Sequence, residues 1–204
     1  MAIRHSQRSL LPLLLLCLSA GCGGTPVTSK PSQANTVAPQ EAVPKTGAFL
    51  AAQRFMNSWG AGEIMQTALQ REMEKTAVQQ PGMAELMKRA LADSGPDEFT
   101  DLAAGVYARH INQADLESLA TFTETNAGNR FFRSVVGTVL AGEKIDQNAI
   151  MRQFNADELT EIIKFSQSPA FASMQAKLPT INKEMGEEGR RYGERKLTEY
   201  LKRK

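Results

Sequence analysis

The chain has 204 residues and a mass of 22.3 kDa, with 42% hydrophobic and 23% charged residues and a formal net charge of +2. That length suits one domain with extended ends. Both excess charges, Arg4 and Arg8, fall in the first twenty-one residues, and the remainder of the chain balances 22 basic against 22 acidic side chains. This balance argues against nucleic acid as a partner, because phosphate binding needs a basic face.

The N-terminus has the order of a secretory signal: Arg4 and Arg8, an apolar run from Leu10 to Leu18 broken by Pro12, then Ser19, Ala20 and Gly21. The run is about nine residues, whereas a helix needs roughly 20 to cross a bilayer core. The stretch Leu18-Ser19-Ala20-Gly21-Cys22 resembles a bacterial lipobox. The resemblance implies that residues 1–21 are removed and that Cys22 is the lipid-attachment site. Ordinary cleavage near Ala20 is the alternative. After removal Cys22 is the only cysteine, so no intramolecular disulfide can form. Acylation would also remove an unpaired thiol from an oxidising compartment. Gly23 after the cysteine implies, by the same resemblance, sorting to the outer membrane. Residues 23–47 are rich in Gly, Ser, Thr, Gln and Pro and lack both aromatics and apolar periodicity. They read as a disordered tether with an end-to-end distance of about 25–30 Å.

Helical spacing begins at Phe49. Phe49, Leu50, Phe55, Met56 and Trp59 form one stripe, and Ile64, Met65, Leu69 and Met73 another. Gly60 and Gly62 divide the two, and Pro81-Gly82 ends the second. Met83, Leu86, Met87 and Leu91 predict a short helix stopped at Ser94-Gly95-Pro96. Pro96 then opens a helix whose inner face carries Phe99, Leu102, Val106 and Tyr107.

An internal repeat comes next, offset by 43 residues. Ile111-Asn112-Gln113-Ala114-Asp115-Leu116 corresponds to Phe154-Asn155-Ala156-Asp157-Glu158-Leu159. Asn112 and Asn155 are predicted N-caps, and Asp115 and Glu158 stand where a capping-box carboxylate reaches back. Ile111 with Leu116, and Phe154 with Leu159, have the spacing of a hydrophobic staple. Thr125-Asn126-Ala127 and Ser168-Pro169-Ala170 then start a second helix in each copy, with Phe131 and Met174, and Val135 and Leu178, on the inner face. Each repeat, about 111–140 and 154–183, is helix, sharp bend, helix. Pro179 lies within a helical pattern, where it would bend the helix. The charged tail from Ile181 to Leu201 is predicted to pack across the repeats. Gly186, Gly189 and Gly193 recur there near helical spacing. They read as a weakened helix in preference to a close approach to a partner.

Phe154 through Phe165, Ser168-Pro169 and Leu178-Pro179 resemble the DUF2059 family of bacterial envelope proteins, and residues 111–128 match the pattern more loosely. The resemblance spans about residues 100–195. It implies a helical envelope protein and no particular reaction.

No catalytic, cofactor-binding or metal-ligating residues are predicted. His110, at a helix end, reads as a C-terminal residue complementing the dipole. The carboxylate pairs Asp157-Glu158, Glu72-Glu74 and Glu187-Glu188 read as caps or solvated faces, since neighbours one or two apart do not share a cleft. Trp59, Met56, Met65 and Met73 read as core, with an adaptable groove as the alternative. The basic end, Lys202, Arg203 and Lys204, reads as a solvated helix terminus.

The expectation is therefore an all-α protein with a compact helical domain of about seven to nine helices over residues 48–204. A signal peptide spans residues 1–21, and a lipidated cysteine and linker span 22–47. The chain reads as a non-enzymatic lipoprotein facing the periplasm, anchored through Cys22 and binding an envelope protein. The alternative is a carrier or sensor of an apolar small molecule.

Overall fold

A computed structural model of the chain describes residues 46–140 and 143–203. The signal segment, Cys22 and nearly all of the linker lie outside the described residues. Among the described residues the fold is all-α, with nine helices and no strand. They are α1 (Gly47–Ser58), α2 (Ala61–Gln79), α3 (Pro81–Ala90), α4 (Pro96–His110), α5 (Gln113–Thr123), α6 (Asn126–Leu140), α7 (Gln147–Met151), α8 (Ala156–Ser166) and α9 (Pro169–Lys202).

The first of these helices is the hub. The Thr46 side chain caps it by accepting from Phe49 N at 3.2 Å. It then packs on α4 and α5. Fully buried small residues, Ala52 on α1, Ala103 and Ala104 on α4 and Ala120 on α5, let the three backbones approach closely. Phe55 meets Phe132 edge-on at 5.4 Å, within a chain of aromatic contacts that joins Trp59, Phe132, Phe122, Phe165 and Phe171.

The break between α1 and α2 falls at the two predicted glycines, each for its own reason. Gly60 has a φ of +74°, in the left-handed region that favours glycine at a helix C-terminus. Gly62 lies against the start of α4: a Cβ there would sit 2.2 Å from the Pro96 carbonyl oxygen. Pro81 opens α3 rather than merely ending α2, and Pro96 opens α4.

Both copies of the repeat have the predicted boundaries. Helices α5 and α8, and the starts of α6 and α9, coincide when the numbering is shifted by 43. Asn112 and Asn155 accept from the backbone N–H three residues on, each at 2.9 Å. Thr125 Oγ1 and Ser168 Oγ do the same for the second helices. The copies pack reciprocally, α5 against α9 and α6 against α8. This is the logic of a two-fold interface, in which a residue near the axis meets its own counterpart. Phe122 and Phe165, 43 apart, do so: their rings stack at 3.7 Å and 6°.

The copies differ where their side chains differ. Glu158 is long enough to accept from Asn155 N at 3.0 Å and complete a capping box. Asp115, one methylene shorter, takes a bond from the Asn112 side-chain amide instead. Gly128 would place a Cβ 2.0 Å from the Phe122 carbonyl oxygen, so only glycine fits that bend as it stands. Its counterpart Phe171 is buried edge-on against Phe165.

The last helix, α9, runs unbroken through Pro179, which is exposed between buried Leu178 and Ile181. Its second half does not lie only across the repeats. It reaches back onto α3 and α4, the helices that precede them. The short α7, capped by Asp146, is an element that periodicity did not reveal.

Candidate apolar ligand site

The second half of α9 is charged and rich in glycine, and its placement is explained by two sets of polar contacts with α4 and the turn before it. Near its middle, Arg109 Nε donates to Glu184 Oε1 at 2.6 Å and Arg109 Nη2 to Glu188 Oε1 at 3.2 Å. His110 Nε2 pairs with the other oxygen of Glu184. Glu188 is buried and also receives Arg191 Nη1 at 3.4 Å. Burial alone would raise the Glu184 carboxyl, but hydrogen bonds from His110 and Arg109, with their charge, hold it below its ordinary range.

Further along α9, the Tyr192 hydroxyl donates to Glu98 Oε2 at 2.8 Å and lies 2.7 Å from Ser94 Oγ. Lys196 Nζ reaches the same Glu98 oxygen at 2.7 Å. Burial opposes charge on Glu98 and Lys196, yet their mutual bond wins: the carboxyl is lowered and the ammonium raised. Burial, reinforced by Glu98, raises the Tyr192 phenol. Beneath these bonds the Tyr192 ring packs on Phe99 at 5.5 Å.

Between and beside these contacts, α2, α3, α4 and α9 line an apolar cavity of about 390 Å³. Met65 and Leu69 contribute from α2, Met87 and Leu91 from α3 and its end, and Phe99 and Leu102 from α4. The α9 wall is Met185, Gly189, Tyr192, Gly193 and Leu197, with Arg190 and Glu194 paired at its edge. Two glycines of α9 border this space differently. Gly189 is exposed, and a Cβ there would meet nothing within 4 Å, whereas one on half-buried Gly193 would touch Met87 Cε at 3.3 Å. Of the three glycines, Gly193 makes a close approach to α3, while Gly186 and Gly189 stand exposed with no neighbour, as in a helix weakened by glycine.

A second, more polar cavity of about 810 Å³ lies between α2 and α3. It shares Leu69, Leu91 and Phe99 with the first, so the two spaces meet at these side chains.

The residues singled out from the sequence separate accordingly. Met56 and Trp59 are core, packed with Phe55. Met65 and Met73 also pack against core, around buried Leu91, Phe99 and Tyr192, and in addition line the apolar and the polar cavity respectively. His110 ends α4 and holds Glu184. Glu158 caps α8 and takes Arg130 at 2.6 Å, so the Asp157-Glu158 pair is a helix start. Glu188 of the Glu187-Glu188 pair is buried in ion pairs, not solvated. Glu74 is exposed on α2 and lines the polar cavity, and the side chain of Glu72 is outside those described. Cys22 lies outside the described residues.

Tyr192, Gly189 and the methionine pair Met65 and Met87 were not marked as one site in the sequence. The sequence carried two separate signals, the glycine spacing of α9 and Met65 among the methionines of a possible groove. Among the described residues no group of three or more His, Cys, Asp or Glu side chains could hold a metal ion. No described helix is long and apolar enough to cross a membrane. No family model, curated protein or solved structure matches the chain.

Proposed function

We propose that this protein is an exported, lipid-anchored binder of an apolar small molecule in the bacterial cell envelope, with the ligand held between α2, α3, α4 and α9. The observation that carries the reading is the cavity of about 390 Å³ with a nearly continuous apolar lining. Ligand sites occupy roughly 300–1,000 Å³ and combine apolar walls with a few placed polar groups. Methionine at two of the walls adds adaptability, because its unbranched side chain repacks around different shapes. A binding rather than catalytic role is supported by the nearby charges: Glu184, Glu188, Glu98 and Lys196 are all engaged in holding α9.

Export and the anchor are proposed from the signal segment and Cys22, and the envelope setting from the DUF2059 resemblance, with the outer membrane favoured by Gly23. The protein-partner reading draws on the tether, which raises effective concentration at a membrane. The cavity gives the ligand reading a site.

The test is native mass spectrometry of the protein released gently from envelopes, alongside Cys22→Ala and Gly189→Leu. Expected are a diacylglyceryl-type mass on Cys22 that the first variant lacks, and a noncovalent small molecule that the second variant loses. A protein that carries no small molecule in any preparation, and binds none when offered apolar compounds, would contradict the ligand reading. An unmodified Cys22 would contradict the anchor.

A further inference from the structure

Resting on that ligand reading, we infer that the occupant is a single-chain amphiphile with a zwitterionic head group. The apolar cavity adjoins the polar one. It meets the polar cavity at Leu69, Leu91 and Phe99, which line both. A molecule filling the two spaces has one apolar end and one polar end. At about 390 Å³ the apolar part is at the small end of ligand sites, fit for one hydrocarbon chain and too small for the pair of a diacyl lipid.

The polar space selects the head. Its lining carries the amides of Gln66 and Gln70 and three charges, Glu74, Glu85 and Lys88. Glu85 is neutralised by Arg89 at 2.8 Å. Glu74 on α2 and Lys88 on α3 have no ion-pair partner among the described residues. One anion and one cation therefore stand on the two helices that form the space. That pattern complements a head bearing both signs, and gives a purely anionic head one attraction and one repulsion.

The experiment uses the mature chain, residues 22–204, carrying Cys22→Ser. N-phenyl-1-naphthylamine reports on the apolar cavity. Myristoyl lysophosphatidylcholine, below its micellar concentration, and myristate compete against it. The lysolipid is expected to displace the fluorophore at least tenfold more effectively than myristate. Glu74→Lys, an exposed substitution, replaces the one repulsion of the carboxylate by an attraction and is expected to erase that preference while leaving fluorophore binding unchanged. Gly189→Leu is expected to abolish fluorophore binding. Equal competition by the two amphiphiles, no displacement by either, or an unaltered preference in Glu74→Lys would overturn the head-group inference and leave the apolar site standing. Absence of fluorophore binding, or binding that Gly189→Leu leaves intact, would overturn the site itself.

Discussion

The same substitution, glycine to alanine, is expected to act with opposite sign at two helical positions. At Gly62 a new Cβ would lie 2.2 Å from Pro96 O and 2.6 Å from Thr100 Oγ1. The first neighbour is backbone and the second belongs to a buried side chain, so α2 and α4 have to separate. Forcing an extra methyl into a packed contact costs typically about 1–3 kcal/mol. Better helix propensity returns at most about 1 kcal/mol, and less in a first turn. At Gly189 no atom lies within 4 Å, the position is well inside α9, and the full propensity gain of about 1 kcal/mol applies. The two variants should therefore differ by roughly 1–4 kcal/mol. Urea denaturation reads this as opposite shifts in midpoint at constant slope. A Gly62→Ala protein as stable as the parent would refute the close α2–α4 crossing. A destabilised Gly189→Ala would refute the open space on α9.

The reciprocal packing of the repeats makes Phe122 and Phe165 energetically coupled. A double-mutant cycle with leucine at each position should give a coupling of about 0.5–1.5 kcal/mol beyond the separate losses, and additive losses would contradict the stack. Stability should also depend on pH through the contacts that hold α9. Glu98 and Glu184 lie below their ordinary value of 4.5 in the fold, so their contribution is present above pH 4.5 and lost as pH falls through the lower folded values. Lys196 and Tyr192 lie above their ordinary values of 10.5 and 10.0, so theirs is present at neutral pH and lost in strong alkali. Denaturant midpoints across pH should fall at both ends, and Glu98→Gln with Glu184→Gln should flatten the acid limb. An acid limb unchanged in the double variant would contradict these contacts.

Local signals carried most of the fold. Asn112, Asn155, Thr125 and Ser168 cap the helices they were expected to cap, because a cap needs only the next three residues. Gly60, Pro81 and Pro96 mark breaks for equally local reasons. The 43-residue offset was legible as a repeat, but the reciprocal packing and the Phe122–Phe165 stack arise only from long-range geometry. The short α7 offers too few residues for a period to show.

The candidate site was least legible, and for a physical reason. It joins Met65 and Met87 to Tyr192 and Gly189, residues a hundred or more positions apart. Glycines spaced along a charged helix read equally well as weakness or as room, and their place beside the cavity depends on α2 and α3, which the local sequence of α9 does not contain. Glu188 likewise looked like half of a solvated pair until Arg109 was seen against it.

The proposed ligand space between α2, α3, α4 and α9 is tested most directly by fluorophore titration of residues 22–204 against the same chain with Gly189→Leu, with the folded state of both confirmed by denaturation. Saturable binding to the parent is predicted, with its loss in a variant that remains fully folded. Equal binding by the two proteins would contradict an apolar ligand site at this place in the fold.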